Sequence, residues 1–194
     1  MFSDCSEKVA DKLRAGGIID DDVYEICRYG INQLFTTILD FTTIIIIGFI
    51  LNMTFEGIIF TVAYIPIRIY AGGYHAKTPQ RCWLFSAIML LIVLSVIKYS
   101  PNNSIFFWIY TTVSLISCII IWILSPVEDK NKSLDLQEKI AYCHRTRYIL
   151  SAEIILNVVF YILHFYSIVT VFEMVWFSLS IMLILGIIKK KTKA

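Results

Sequence analysis

Ser104 to Leu124 reads SIFFWIYTTVSLISCIIIWIL, an apolar run without a single charged side chain. A helix needs about 20 mostly apolar residues to cross the hydrocarbon core of a bilayer. Inside that core it must pair its own backbone groups, because no water is present to do so. This run has the length and the composition, and it decides the fold class. The pattern recurs on both sides of it. Ile31 to Asn52, Phe55 to Tyr70 and Gln80 to Lys98 precede it; Tyr148 to Tyr166 and Val169 to Ile188 follow. Only His164-Phe165-Tyr166-Ser167 separates the last two. The chain has 194 residues, 58% hydrophobic and 16% charged. A soluble domain runs at about 45–50% apolar and about 25% charged, and a chain this small cannot hide the surplus in its own core. A soluble enzyme is thereby excluded as the default, and a disordered chain more firmly. A net charge of +2 gives no footprint for nucleic acid. The expected fold is an all-α integral membrane protein with six transmembrane helices.

The basic residues set the orientation. Lys8, Lys12, Arg14 and Arg28 precede the first span, and Arg68, Lys77 and Arg81 flank the connection between the second and third. Lys130, Lys132, Lys139, Arg145 and Arg147 lie between the fourth and fifth, and Lys189, Lys190, Lys191 and Lys193 follow the sixth. Of the 17 basic residues, only Lys98 falls on the other side. By the positive-inside rule that crowded side is cytoplasmic and holds both termini. Tyr99, Trp108, Tyr148 and Tyr166 near span ends fit an interfacial aromatic belt. The expected layout is an amphipathic N-terminal segment over 1–29, a transmembrane domain over 30–188 and a basic cytoplasmic tail over 189–194. Met1 to Ala15 has no apolar core of a signal peptide. It reads either as a short amphipathic helix, with Val9 and Leu13 on one face and Gly16-Gly17 ending it, or as a polar leader. Asp22 and Glu25 give a weak helix-start signal.

The five cysteines are Cys5, Cys27, Cys82, Cys118 and Cys143. An odd number, mostly on the reducing side, argues against a disulfide framework. No metal-ligand spacing, phosphate loop or dinucleotide signature occurs, so no cofactor and no metal is expected.

The stretch that carries chemistry is Arg68 to Cys82, RIYAGGYHAKTPQRC. Gly72-Gly73 breaks the helix, and Thr78-Pro79 starts the next one, with Thr as cap and Pro at the first helical position. Cys82 then sits in the first helical turn. A thiol there faces the positive end of the helix dipole beside Arg81, which favours the nucleophilic thiolate. His75 is too far from Cys82 on one unbroken helix, about 10 Å along the axis; a folded-back loop would bring imidazole to sulfur. Such a pair is the nucleophile and base of cysteine acyl transfer. The same residues also fit an inert thiol and a histidine that caps backbone, and the spacing alone leaves both open.

With these residues in view, the chain resembles the accessory gene regulator protein B (AgrB) family, Gram-positive membrane endopeptidases that process the quorum-sensing propeptide AgrD. The resemblance rests on the six spans, the Arg68…Gly72-Gly73-Tyr74-His75…Cys82 block, and the Ser125-Pro126-Val127-Glu128-Asp129-Lys130-Asn131-Lys132 loop. Ser133 stands where the family has proline, which touches the local turn and not the chemistry. The resemblance implies Cys82 as nucleophile and His75 as base, at the cytoplasmic side of the cell membrane. It implies an AgrD-like propeptide as substrate, an acyl-enzyme thioester, closure of a thiolactone or lactone ring, and a homodimer. Arg68 and Gly73 match the family block. Arg68 is read as a ligand for a carboxylate or carbonyl, or as a snorkelling residue. Gly73 permits the fold-back. Lys130 and Lys132 attract an acidic tail or anchor the topology. Gln80 and Glu153 are candidate orienters of His75. The rival readings are a small transporter, built on the intramembrane acids Asp40, Glu153 and Glu173, and a non-catalytic membrane adaptor.

Overall fold

In the computed structural model, which describes residues 3–74, 76, 78–101, 103–128 and 135–192, the chain is all helical. The described residues form α1 (Ser3–Ala15), α2 (Asp21–Leu51), α3 (Thr54–Ala71), α4 (Pro79–Tyr99), α5 (Ser104–Leu124), α6 (Leu136–Ile162) and α7 (Tyr166–Lys191). Five of these, α2, α3, α4, α5 and α7, are long and apolar enough to cross a membrane. The molecule is a multi-pass membrane protein. The expected fifth span, Tyr148 to Tyr166, falls on α6, which carries Arg145, Arg147 and Glu153 and so lacks a full-length apolar stretch.

Local chemistry explains the helix ends. The Thr78 hydroxyl accepts from the Arg81 N–H at 3.4 Å, with Pro79 opening α4 as the sequence predicts. Asn103 caps α5 through the Phe106 N–H at 3.0 Å. The start of α6 departs from expectation. Ser125 to Arg147 reads as a polar connection, yet α6 begins at Leu136, where Asp135 and Glu138 form a reciprocal capping box. The helix therefore carries polar turns ahead of its apolar stretch, and hydropathy alone does not register them. At the other end α6 stops at Ile162, and α7 starts at Tyr166 rather than Val169. His164 turns the corner at φ 63°. Asn52, at φ 52°, closes α2, with the Met53 N–H bonded to the Gly48 carbonyl at 2.7 Å. Likewise α2 begins at Asp21, capped by position and not by a side-chain bond, so one helix runs across the 29/30 boundary.

Helix α7 is the axis of the bundle. It packs against α3, α4, α5 and α6. Some 67% of its apolar stretch is buried, against 11% for α2. It is apolar all round, as a central helix must be. Helix α2 packs on α3 and α4 and turns Phe41, Ile45 and Phe49 outward. Lipid is as apolar as leucine, so packing here depends on close fit and polar ties rather than on escape from water. Ser180 donates to Ser117 at 3.2 Å between α7 and α5. Trp176 Nε1 donates to Glu153 Oε2 at 2.9 Å between α7 and α6. Thr111 donates to Glu173 Oε1 at 2.8 Å between α5 and α7. Small residues let backbones meet: a Cβ on Gly48 would lie 2.7 Å from Thr54 Cα.

Helix α1 is present and packs on α2. Its packed face differs from the expected one. Ser6 and Ala10 are buried while Val9 is exposed, so the register runs through Ser6, Ala10 and Leu13. The expected glycine stop holds: the Gly16 N–H bonds the Lys12 carbonyl, and Gly17 adopts φ 67°.

Candidate functional site

The site grows from the end of α3. Gly72 leaves the helix at φ 71° and ψ −144°, with its N–H still bonded to the Arg68 carbonyl at 3.2 Å. Gly73 follows at φ 114°, a region that side chains rarely tolerate. The freed backbone pairs with the segment after α5. The Val127 N–H donates to the Ala71 carbonyl at 2.9 Å, and the Gly73 N–H donates to the Val127 carbonyl at 3.1 Å. Gly72 and Val127 thus form a parallel bridge, the one bridge outside the helices among the described residues. Next, the Tyr74 N–H donates to the Met182 carbonyl of α7 at 2.9 Å.

Glycines make this docking possible. A Cβ on Gly72 would run into the Val127 carbonyl, and one on Gly73 would lie 2.9 Å from the Met182 oxygen. A Cβ on Gly186 of α7 would lie 2.7 Å from the Gly73 carbonyl carbon and 2.9 Å from the Tyr74 nitrogen. Loop and helix touch backbone to backbone.

Side chains then tie the loop to its surroundings. Arg68 reaches over the turn and donates from Nη2 to the Tyr74 carbonyl. Its Nη1 is buried with no hydrogen-bond partner among the described residues. The Tyr74 ring packs on Phe85 of α4 at 5.7 Å between centroids, and Lys189 of α7 stands over the same ring at 5.1 Å. Phe85 is one turn beyond Cys82. Cys82 lies in the first turn of α4, half-buried, with its N–H bonded to the Thr78 carbonyl at 3.1 Å. The loop that began at Gly72 therefore returns to the helix that carries the thiol.

Of the residues singled out in the sequence, Arg68, Gly73 and Cys82 have described positions at this corner. His75, Lys130 and Lys132 lie outside the described residues. Gln80 is exposed in the first turn of α4. Glu153 is buried and takes its bond from Trp176. Sequence reasoning did not single out Val127, Met182 or Gly186. A lone glycine in an apolar helix is a hint of close approach, but nothing in the sequence names the partner. Glu128, quoted in the sequence only as part of the Ser125–Lys132 loop, joins Lys139 of α6 and Lys190 of α7 at 3.2 Å each. Those bonds, Lys139 first, hold the Glu128 carboxyl below its ordinary value. No cluster of His, Cys, Asp and Glu among the described residues is placed to hold a metal.

A family model described as Accessory gene regulator B matches residues 6–187. A Clostridium perfringens (strain 13 / Type A) protein named as AgrB-like is 26% identical over 143 residues, covering 72% of this chain and 67% of the relative. A second, from C. perfringens strain SM101, matches with the same identity and coverage. A Listeria monocytogenes (strain HCC23) protein, also named as AgrB-like, is 22% identical over 131 residues, 66% of this chain and 63% of the relative. No solved structure matches.

Proposed function

The chain belongs to the accessory gene regulator B family, and on that premise we propose that it is a membrane cysteine endopeptidase that cleaves an AgrD-type propeptide. Family membership implies a part in quorum-sensing propeptide processing. One observation carries the finer reading. Tyr74, at the end of the glycine turn, rests on Phe85, one turn from Cys82, so the turn and the thiol share one corner.

The chemistry follows from that neighbourhood. His75 takes the proton of Cys82, and sulfur attacks the carbonyl carbon of the scissile peptide bond. A C–S bond forms while the carbonyl electrons move to oxygen. When they return, the C–N bond breaks and the imidazolium gives its proton to the leaving amine. The acidic tail departs, and the remainder stays on Cys82 as a thioester. A thiol or hydroxyl within the peptide then attacks that thioester, releases Cys82 and closes the ring. Exchange of one thioester for another is close to balanced, whereas a thiolactone made from a free acid is uphill. Water must therefore be kept from the acyl-enzyme until the ring closes. A corner packed between α3, α4 and α7 under Tyr74 and Phe85 serves that need. Lys130 and Lys132 attract the acidic tail, and Arg68 polarises the carbonyl.

The same proposal includes six crossings, with Tyr148–Ile162 of α6 as the fifth in order, both termini and the Cys82 corner cytoplasmic, and a homodimer in the bilayer. The test is co-expression with a tagged AgrD-type propeptide from the neighbouring reading frame. Wild-type protein should shorten the tag, while Cys82→Ser and His75→Ala should leave it intact at normal protein abundance. An intact tag with the wild type, or a cleaved one with Cys82→Ser, refutes the endopeptidase reading.

A further inference from the structure

Arg68 Nη1 is not the only donor at this corner without an acceptor among the described residues. Tyr64 lies one helical turn earlier on α3, on the same face. Its ring stacks on Phe60 with centroids 5.5 Å apart and planes 12° from parallel. The phenol oxygen is buried and has no hydrogen-bond partner among the described residues. The Arg68 guanidinium and the Cys82 thiol both lie within electrostatic reach of it. Tyr64 and Trp83, the neighbour of Cys82 on α4, share the wall of a cavity of about 140 Å³ that also includes Asp40, Thr43 and Ser86. Trp83 is fixed there by its bond to Thr43 at 3.0 Å. A Cβ on Gly73 would stand 2.7 Å from Arg68 Nη1, so the absence of a side chain at Gly73 is what leaves that nitrogen its place.

Two buried donors on one helix face, each with a hydrogen that no acceptor among the described residues claims, are costly to maintain unless an acceptor arrives. Donors held ready in a buried corner are suited to meet the charge that develops on a reacting carbonyl oxygen. We propose that Tyr64 is a further catalytic residue, whose hydroxyl joins Arg68 Nη1 in donating to the carbonyl oxygen of the scissile bond. This rests on the endopeptidase reading above. As sulfur adds to the carbonyl carbon, the oxygen gains the electron pair of the C=O bond, and the two donors hold that charge without giving up their protons. When the C–N bond breaks, the pair returns and the donors are idle again.

The experiment compares wild type, Tyr64→Phe, Phe60→Leu and Cys82→Ser in proteoliposomes with the tagged propeptide, together with alkylation of Cys82 by iodoacetamide. Tyr64→Phe removes one oxygen and keeps the ring. Loss of one such donor is expected to lower kcat about 100-fold, with KM and the alkylation rate near wild type. Phe60→Leu disturbs the stack but keeps the hydroxyl, and should retain kcat within about threefold. Tyr64→Phe at near wild-type kcat overturns the inference, and so does an equal loss in Phe60→Leu, which would mark a packing role. In both cases an inactive Cys82→Ser leaves the endopeptidase reading standing. An active Cys82→Ser, or an inactive wild type, overturns that reading and Tyr64's role with it.

Discussion

Replacing Gly186 by alanine sets two effects of opposite sign against each other. Within a helix, alanine is favoured over glycine by about 1 kcal/mol, so on α7 alone the change stabilises. The new methyl, however, would stand 2.7 Å from the Gly73 carbonyl carbon and 2.9 Å from both Gly73 Cα and the Tyr74 nitrogen. These are backbone atoms of a turn already tied to Val127, and they have no flexible end to swing aside. Overpacking of this kind costs about 1–3 kcal/mol. If the turn retreats, the bond from the Tyr74 N–H to Met182 goes too, and leaving such buried groups unpaired costs about 1–3 kcal/mol more. At mid-range the net is a penalty of about 3 kcal/mol on docking of the loop, which lowers the docking equilibrium constant about 150-fold. Propeptide cleavage in proteoliposomes, normalised to protein, should fall by that order, while the helix content stays unchanged. The residue is 104 positions from Cys82 in the chain, so no direct contact with sulfur explains such a loss. Cleavage at the wild-type rate or faster would show that helix propensity outweighs the contact, and that the docked turn does not position the chemistry.

Two other outcomes follow from the packing. Trp176→Phe removes the donor that serves the buried Glu153 carboxylate and should lower thermal stability in detergent by about 1–3 kcal/mol; Glu153→Gln, which can still accept, should cost less, and the reverse order would refute the tie. The Glu128 carboxyl is held below its ordinary 4.5 by Lys139 and Lys190, and a group whose folded value is lowered contributes stability that is present at neutral pH and lost as pH falls through that value. Amide exchange in the last turn of α7 should therefore accelerate only in acid, and an acceleration already near neutrality would refute the clasp.

Much of the fold is legible because a bilayer imposes a coarse rule, and runs such as Ser104–Leu124 obey it. The α4 boundary was readable to the residue, since Thr78 and Pro79 act within one turn of themselves. The start of α6 was readable in principle from Asp135 and Glu138, but a search for apolar runs looks past a polar capping box. The face of α1 was misread because Val9 and Leu13 share spacing with Ser6 and Ala10, and small side chains pack closer than large ones. At the site, Arg68, the glycine pair and Cys82 announce themselves through local spacing. What holds them together does not. Val127, Met182 and Gly186 act through their backbones or through a missing side chain, and no property of those residues in isolation points to Gly73.

The clasp around the glycine turn is made of amides and carbonyls. Val127 and Met182 offer the loop only main-chain atoms, which every residue but proline carries in full. Those positions can drift among apolar side chains while the grip on the turn persists. Positions 72, 73 and 186 have no such freedom, because any side chain there occupies the space of a neighbour's backbone. Across distant members of such a fold, the surest trace of the corner would be three empty places rather than any shared contact residue.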